Sequence, residues 1–359
     1  MNKKVLKVNP NDNVIVALVD LKANTIIEFD NDEFILKKDI QAKHKFASKD
    51  LNIGDYIYMY GIIVGKAKFK IEKGETITTE NVKHESSKNF IKTETTTWQA
   101  PSVEKWKDKN FMGYHRNDGQ VGTKNIWLFF PLVFCENRNV EILKDIFEKE
   151  LLFEKPSKHQ LLLRALINNS SINEDSNIEE NKVFNNIDVK FITHQGGCGG
   201  IRQDAEALGR LLAGYLKNPN VAGATVLSLG CQNLQVKLFE EALNKIDADN
   251  TKPVLIFEQQ KMGTIDKMID EIIKASYTEI KKANEIQRKP ASLAKLTLGL
   301  ECGGSDGFSG ISANPVLGHL SDLIAALKGK TILSEFPELC GVEQELINVV
   351  LNQKMQINS

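Results

Sequence analysis

The sequence lacks the cysteine pairs that a disulfide-stabilised secreted protein or a zinc-binding domain would need. It has five cysteines, an odd number, and none of them forms a CxxC pair. They stand far apart, at Cys135, Cys198, Cys231, Cys302 and Cys340. Disulfide frameworks use even sets of cysteines and form in oxidising compartments. We therefore expect no disulfide framework, and a protein of the reducing cytoplasm.

Long hydrophobic runs and an excess of charge of one sign are also missing. The longest apolar run, 126–135, is far shorter than the roughly 20 residues that a membrane-spanning helix needs. The polar, lysine-bearing start at 1–10 does not have the form of a secretory leader. Acids and bases are interspersed and sum to a formal net charge of -1. We therefore expect binding neither to nucleic acid nor to a membrane.

The chain is long enough for two or three domains, with 359 residues of which 42% are hydrophobic. Short β-branched runs separated by Asn and Asp turns predict a small β module over 1–90. A polar, Thr- and Ser-rich stretch then predicts a linker over 91–109. We assign 110–285 to a middle α/β domain and 286–359 to a C-terminal α/β domain that is incomplete.

Strands and helices alternate from residue 126 onward. Helical periodicity is clearest at 202–216 and 234–246. Apolar runs of strand length occur at 126–134, 189–193, 224–229, 254–257, 296–300 and 331–333. Such alternation is typical of parallel strands covered by helices. The predicted fold class is α/β, with a small N-terminal β domain followed by parallel-sheet α/β domains.

Polar residues follow these strands. His194 and Glu301 each combine a titratable side chain with a glycine-rich loop, HQGGCGG and ECGGSDG. The carboxyl ends of parallel strands meet at one edge of a sheet, where ligands bind. The alternatives are ordinary: a small cysteine at a strand end commonly packs in the core, and glycine pairs can mark only a tight turn. The set favours a metal or small-anion site.

The loop that begins at Glu301 is followed by a helix pattern. Asn314 is the predicted N-cap, Pro315 fits the first turn, and Gly329 ends the helix. Two other polar segments are candidates for site residues. His44 and Lys45 lie between strands of the β module, and a loop at 114–118 precedes the strand at 126. For both segments a solvated surface turn is the alternative explanation.

Several long motifs together carry a family resemblance. They are HKFA from His44, HRNDGQVGTKN from His115, THQGGCGG from Thr193, LSLGCQN from Leu227 and ECGGSDGFSGISANP from Glu301. The chain resembles the altronate/galactarate dehydratase family. This resemblance implies an N-terminal β-clip domain of the SAF type, two α/β domains, and iron(II)-dependent removal of water from a sugar acid. Because family members continue beyond the segment SEFPELCGVE, we expect this chain to be shortened at its C-terminus.

Within the family, two segments are more similar to the branch that acts on altronate, namely ECGGSDGFSGISANP and SEFPELCGVE. The expected reaction is that of a hydro-lyase of hexuronate breakdown, which converts D-altronate to 2-dehydro-3-deoxy-D-gluconate and water. The alternatives are galactarate or a related acid as substrate, or a shortened protein that binds a sugar acid without turnover. A different enzyme of this build could hold an iron–sulfur cluster on Cys198, Cys231 and Cys302.

Dehydration of an aldonate requires a base for the C2 proton, an acid for the C3 hydroxyl, and a cation beside the carboxylate. The predicted cofactor is iron(II), with manganese(II) as the alternative, and a homo-oligomer is the expected assembly. The hypothesis assigns metal binding to His194, Glu301 and Cys198, acid–base catalysis to His44, Lys45 and His115, and substrate binding to Arg116, Gly303, Gly304, Ser305 and Asp306.

Overall fold

The chain forms two compact units in a computed structural model, which describes residues 4–29, 32–85, 98–151, 157–167, 182–249, 251–301, 303–304, 306–335, 339 and 342–349. Unit 1 consists of residues 1–108 together with 296–359, and unit 2 of residues 109–295. The domain boundaries expected from the sequence stay a prediction.

The N-terminal part of unit 1 is a module of short antiparallel strands. They are β1 (Val5–Leu6), β2 (Val14–Ala17), β3 (Ile26–Phe29), β4 (Asp32–Ile35), β5 (Lys45–Ala47), β6 (Tyr56–Met59), β7 (Ile62–Ala67) and β8 (Val82–Lys83). Among these strands, β1-β2-β5, β3-β4 and β6-β7-β8 form small sheets. Strand β2 is apolar throughout because both of its faces are buried. Ile15 and Ala17 face one apolar cluster, while Val14 and Val16 face another.

Unit 2 is built on a parallel sheet of four strands in the order β12-β11-β13-β14. Its strands are β9 (Asn110–His115), β10 (Val121–Gly122), β11 (Ile126–Pro131), β12 (Asp188–Phe191), β13 (Val221–Ser228), β14 (Val254–Glu258) and β15 (Lys289–Ser292). The helices are α1 (Asn137–Glu150), α2 (Lys158–Ile167), α3 (Arg202–Lys217), α4 (Val236–Ile246), α5 (Gln259–Met262) and α6 (Ile265–Asn284). Strands β10, β9 and β15 form a separate antiparallel sheet.

Strand β11 is buried on both faces at the centre of unit 2. Trp127 and Phe129 belong to the apolar cluster that includes residues of α1 and α6. Leu128 and Phe130 belong to the cluster that includes residues of α3 and α4. Alternation along one strand therefore supplies both cores of a helix–sheet–helix arrangement. The predicted α/β class with a parallel sheet is confirmed.

The C-terminal part of unit 1 is a parallel pair of strands, β16 (Thr297–Leu300) and β17 (Lys330–Leu333), with α7 (Ala313–Ala326) between them in sequence and α8 (Glu343–Val349) after them. The prediction that Asn314 caps α7 was wrong. The helix begins at Ala313 after Ser312, which leaves Pro315 in the first turn, where its missing N–H has no helical partner to lose.

The end of α7 also differs from the expectation for Gly329. Lys328 takes the left-handed conformation, with φ 66°, and the Gly329 N–H donates to the Ile324 carbonyl at 2.8 Å. This hydrogen-bond pattern is a Schellman motif. In this helix Lys328 occupies the left-handed position that glycine usually takes. Within the described part of the chain, the helices are too short or too polar to cross a membrane.

Candidate functional site

A cavity of about 650 Å³ opens at the carboxyl ends of β16 and β17 in unit 1. Its lining includes two carboxylates, those of Glu301 and Glu335, and the predicted substrate-binding residues Gly303 and Gly304. Leucine side chains form an apolar wall, at Leu300, Leu317, Leu333 and Leu339. The cavity therefore combines a polar edge with an apolar wall, which is usual for small-molecule sites.

The local sequence explains why polar groups meet at this cavity. Strand β16 ends at Leu300, so Glu301 is the first residue beyond the paired backbone. The first turn of α7 also lines the cavity, through Ala313 and Asn314. The positive end of a helix dipole and its unpaired N–H groups favour an anion at this position.

Asp306 has its carboxylate bound within unit 1. Its Oδ2 forms an ion pair with the Lys43 ammonium, and its Oδ1 accepts the Phe308 N–H at 2.9 Å. The Lys43 hydrogen bond, followed by that of the Phe308 N–H, lowers the pKa of Asp306 below its ordinary value. Its predicted role in substrate binding stays a prediction. Ser305, predicted to share that role, lies outside the described residues, as does Cys302.

His44 and Lys45 occupy a turn and the first position of β5. His44 is exposed, and half-buried Lys45 pairs with Val16 in the sheet. Their predicted acid–base roles stay a prediction. The preceding residue, Lys43, is the one that contacts the glycine-rich loop, and the sequence analysis missed it. No pattern marks it, because its partner lies 263 positions away and a lysine rarely adopts its φ of 75°.

His194 lies beyond β12, at the carboxyl edge of the parallel sheet in unit 2. Its Nε2 donates to the Pro131 carbonyl at 2.8 Å, and its Nδ1 accepts the Gly196 N–H at 3.1 Å. These two bonds select one neutral tautomer and occupy both ring nitrogens. In this conformation the imidazole therefore offers no free lone pair to a metal ion.

Glu136 is a polar residue of the same edge to which the sequence analysis gave no role. Its carboxyl is fully buried, Oε2 accepts the Asn139 amide at 2.7 Å, and Oε1 has no hydrogen-bond partner among the described residues. Burial raises the pKa of Glu136 above its ordinary value, although the Asn139 bond opposes the shift. The adjacent Asn137 donates to the His194 carbonyl at 2.8 Å, which connects the segment of Glu136 to the loop that begins at His194. The signal that could have identified it was its place directly after the apolar run at 126–135.

His115 and Arg116 lie at the opposite, amino edge of the unit 2 sheet. The guanidinium of Arg116 donates from Nε to the Pro219 carbonyl at 2.7 Å and from Nη2 to the Asn125 side-chain oxygen at 3.0 Å. Both acceptors precede strands, β13 and β11 respectively. His115 donates from Nε2 to the Pro290 carbonyl at 3.1 Å. Within unit 2, these residues therefore do not share an edge with His194 and Cys198, and their predicted roles stay a prediction.

A cavity of about 150 Å³ adjoins this group and is also lined by Lys252. The Lys252 ammonium donates to the carbonyls of Leu216 and Asn218, at 2.5 and 2.8 Å, at the C-terminal end of α3. Burial, and then the charge of Arg116, lowers the pKa of Lys252 to about 8. The contacts of Lys252 and Arg116 are to main-chain carbonyls and an amide, so both side chains tie together the amino edge of the sheet.

The predicted metal ligands are divided between the two units. No three His, Cys, Asp or Glu side chains in the described ranges gather closely enough to hold a metal ion. His194 and Cys198 belong to unit 2, and Glu301 to unit 1. The free thiols of Cys198 and Cys231 are exposed. The predicted ligand set and the metal therefore both stay a prediction.

Three family models match consecutive parts of the chain. The altronate/galactarate dehydratase SAF domain matches residues 3–85. The second domain of D-galactarate dehydratase/altronate hydrolase matches residues 113–284. The C-terminal domain of D-galactarate/altronate dehydratase matches residues 293–358. The predicted SAF-type N-terminal domain is thus confirmed.

Individual relatives agree with these matches. The chain is 30% identical over 357 residues to altronate dehydratase of Bacillus subtilis (strain 168), covering 98% of this chain and 64% of the relative. It is 30% identical over 344 residues to altronate dehydratase of Escherichia coli (strain K12), covering 96% and 62%. It is 27% identical over 341 residues to galactarate dehydratase (L-threo-forming) of the same strain, covering 93% and 59%.

The chain thus spans less than two thirds of the length of these relatives. Within that span, one family's models follow one another in order along almost all of the sequence, and the altronate dehydratases align over nearly all of it. The chain belongs to the altronate/galactarate dehydratase family.

Proposed function

We propose that the chain acts in the dehydration of a sugar acid, with D-altronate as the substrate and 2-dehydro-3-deoxy-D-gluconate and water as the products. The observation that carries this proposal is the cavity at the carboxyl ends of β16 and β17, which contains Glu301, Gly303 and Gly304. The two relatives named altronate dehydratase support this choice of substrate. A galactarate dehydratase among the relatives makes galactarate the second candidate.

The chemistry of the cavity suits a polyhydroxy carboxylate. Its volume of about 650 Å³ is in the range of small-molecule pockets, roughly 300–1,000 Å³. The N-terminus of α7 and the backbone of Gly303 and Gly304 favour the substrate carboxylate. Glu301 and Glu335, which would repel that carboxylate, can instead accept hydrogen bonds from the sugar hydroxyls.

The elimination step needs two proton transfers around one C–C bond. A base takes the C2 proton, the C3–O bond breaks, and the departing hydroxyl takes a proton from an acid to leave as water. The enol that remains becomes the 2-keto acid when a proton is added at C3 and the C2 hydroxyl loses its proton. We retain His44, Lys45 and His115 as the proposed acid–base residues. Exposed His44 adjoins Lys43, which contacts the loop that lines the cavity.

Iron(II) or manganese(II) stays part of the proposal for the whole protein. We also propose a cytoplasmic location, which suits the free, exposed thiols of Cys135, Cys198 and Cys231. A homo-oligomer is proposed because apolar side chains such as Val316 and Ile332 are 67% and 55% exposed. Light scattering after size-exclusion chromatography would test the assembly.

An anaerobic assay with iron(II) tests the reaction, with D-altronate and galactarate offered separately and 2-keto-3-deoxy acid measured. The matched variants are Glu301→Gln and Glu335→Gln in the cavity, and Glu240→Gln on the exposed face of α4 as the control. Turnover of altronate that only the cavity variants lose supports the proposal. Turnover of galactarate alone would move the assignment to the second candidate.

A negative result is informative when a full-length relative is active in the same assay. Absence of product from both acids would then contradict catalysis by this chain. Calorimetry with each acid separates the remaining explanations. Binding without turnover would indicate a sugar-acid-binding protein, and absence of binding would show that the cavity accepts neither acid.

A further inference from the structure

The turns at Lys43 and Tyr60 in the β module, like the turn at Asn24, place a residue other than glycine in the left-handed backbone region. Lys43 has φ 75° and Tyr60 has φ 60°. This conformation is unfavourable for residues with a Cβ, and such positions are often found at functional sites. Lys43 is the third residue of a turn closed by the His44 N–H and the Gln41 carbonyl at 3.1 Å, which is where a type II turn requires positive φ.

Both residues contact the same short segment of unit 1, the loop 306–310. The Lys43 ammonium forms its ion pair with Asp306 and lies 5.4 Å from the centre of the Phe308 ring, within the range of a cation–π interaction. The Tyr60 hydroxyl lies against Gly310. The approach at Gly307 is so close that a Cβ there would be 2.6 Å from the Cβ of Lys43. The left-handed turns therefore present a cation and a phenol to this loop.

The Lys43 turn is fixed from the side of the β module. The Lys43 N–H donates to the Ala17 carbonyl at 2.8 Å, and the Ala17 N–H donates to the His44 carbonyl at 2.9 Å. The loop is also anchored by burial, since Phe308 and Ile311 pack on the apolar cluster that contains Val14 and Val16. A rigid turn thus holds one end of the glycine-rich loop against a packed core.

The other end of the glycine-rich loop, which begins at Glu301, lines the cavity. Glu301, Gly303 and Gly304 precede the anchored residues by only a few positions, and Ser309 both lines the cavity and donates its N–H to the Asp306 carbonyl at 2.9 Å. A change in the anchored half is therefore transmitted through a short segment to the groups that face a ligand. Such support of a binding loop from behind is how affinity is usually preorganised.

We propose that Lys43 is a positioning residue: its ion pair with Asp306 holds the glycine-rich loop in the conformation that binds the sugar acid. The identity of the ligand rests on the proposed function, whereas the control of the loop does not. Lys43 contacts Asp306 and Phe308 and does not line the cavity, so it acts through the loop and is not a catalytic residue. The prediction from the sequence pointed to its neighbours His44 and Lys45 for chemistry, and this assignment adds a role for the residue before them.

Three variants separate the ammonium from the turn. Lys43→Gly allows the same left-handed turn without its steric strain, but it removes the cation. Asp306→Asn removes the charge and keeps an oxygen for the Phe308 N–H. Lys43→Arg restores a cation at the same place. The control is Lys22→Met, because Lys22 forms a 2.8 Å ion pair with Asp39 elsewhere in the β module.

Hydrogen–deuterium exchange of the peptide that covers 301–311 tests the loop without any ligand. We expect faster exchange in Lys43→Gly and Asp306→Asn, and exchange like that of the parent in Lys43→Arg and Lys22→Met. Melting temperatures and circular dichroism verify that each variant is folded. Unchanged exchange in both folded variants that lose the pair would overturn the proposal.

Calorimetry with D-altronate and with galactarate tests the consequence for binding. We expect the Kd of the acid that the parent binds to rise about three- to tenfold in Lys43→Gly and Asp306→Asn, with recovery in Lys43→Arg. An equal Kd in all four proteins would contradict the positioning role. If the parent binds neither acid, the proposed function fails, and the exchange experiment alone decides whether Lys43 controls the loop.

Discussion

The conformation of the loop at 194–200 in unit 2 should depend on Gly197, and Gly197→Ala is the change that tests this dependence. Gly197 has φ 92°, and a Cβ there would lie 2.7 Å from the Val133 Cα and 2.9 Å from the Leu132 carbonyl carbon. The loop has little freedom to move away. The Phe134 N–H donates to the Gly196 carbonyl at 3.0 Å, and the Leu234 N–H donates to the Gly197 carbonyl at 3.1 Å.

The expected cost follows from two separate terms. A Cβ in the left-handed region costs about 1 kcal/mol. Overlap with main-chain atoms at the end of β11 adds about 1–3 kcal/mol, because backbone cannot rotate away as a side chain can. We therefore expect Gly197→Ala to lower the free energy of unfolding of unit 2 by about 2–4 kcal/mol. With a urea dependence of about 2 kcal/mol/M, the midpoint falls by about 1–2 M.

Urea unfolding followed by the fluorescence of Trp127 measures this cost, since Trp127 is fully buried in unit 2. Trp98 and Trp106 are replaced by Phe in the parent and in both variants, so that the signal reports on unit 2. The control is Gly214→Ala in α3, where no atom lies within 4 Å of the new Cβ. This control should stabilise by about 0.5–1 kcal/mol. A Gly197→Ala midpoint equal to that of the parent would refute the reasoning.

Three further changes have defined outcomes. Burial raises the pKa of Glu136 above its ordinary 4.5, so the stability that its neutral form contributes is full below pH 4.5 and is lost as the pH rises through the folded-state pKa. In thermal melts, the difference in melting temperature between Glu136→Gln and the parent should therefore shift in favour of the variant from pH 4 to pH 8. A constant difference would be the contrary result. Arg116→Lys should destabilise by about 1–3 kcal/mol in urea titrations, because a lysine cannot reach both acceptors at once; parent-like stability would argue for a role in binding. Lys252→Met should cost about 1–3 kcal/mol by the same assay, since two carbonyls lose a donor, whereas Lys237→Met on exposed α4 should change little.

The parallel sheet of unit 2 was predictable because its strands carry a strong local signal. Strand β11 is apolar on both faces, and the helices that cover the sheet repeat at 3.6 residues. The predicted helix at 202–216 is observed at Arg202–Lys217, and the predicted strand at 254–257 is observed at Val254–Glu258. Other boundaries shifted by up to three residues: the strand predicted at 224–229 begins at Val221, and the one predicted at 126–134 ends at Pro131. The chain leaves β11 at Pro131, because the next residues turn into the short helix at Phe134–Glu136.

The placement of His115 and Arg116 could have been predicted more sharply. Residues that follow a parallel strand lie at its carboxyl edge, whereas this pair lies before β11 and therefore nearer to the amino edge. The density of polar residues in this loop suggested a site, but its position relative to the strand is the better indicator of the edge on which it lies. Arg116 then donates to groups that precede β13 and β11, which gives its polarity a structural use within unit 2.

The role of Lys43 illustrates what pattern alone could not supply. His44 and Lys45 attracted attention because an imidazole beside a cation suggests acid–base chemistry, and Lys43 carries the same charge one position earlier. What distinguishes Lys43 is a φ of 75°, imposed by a turn that the Ala17 main chain holds on both sides. That backbone directs its ammonium to Asp306 across 263 positions of sequence. Lysine has no intrinsic preference for such a turn, so the contact depends on tertiary structure. The same charge at Lys45, which is paired within the sheet, therefore does not reproduce the effect of the charge at Lys43.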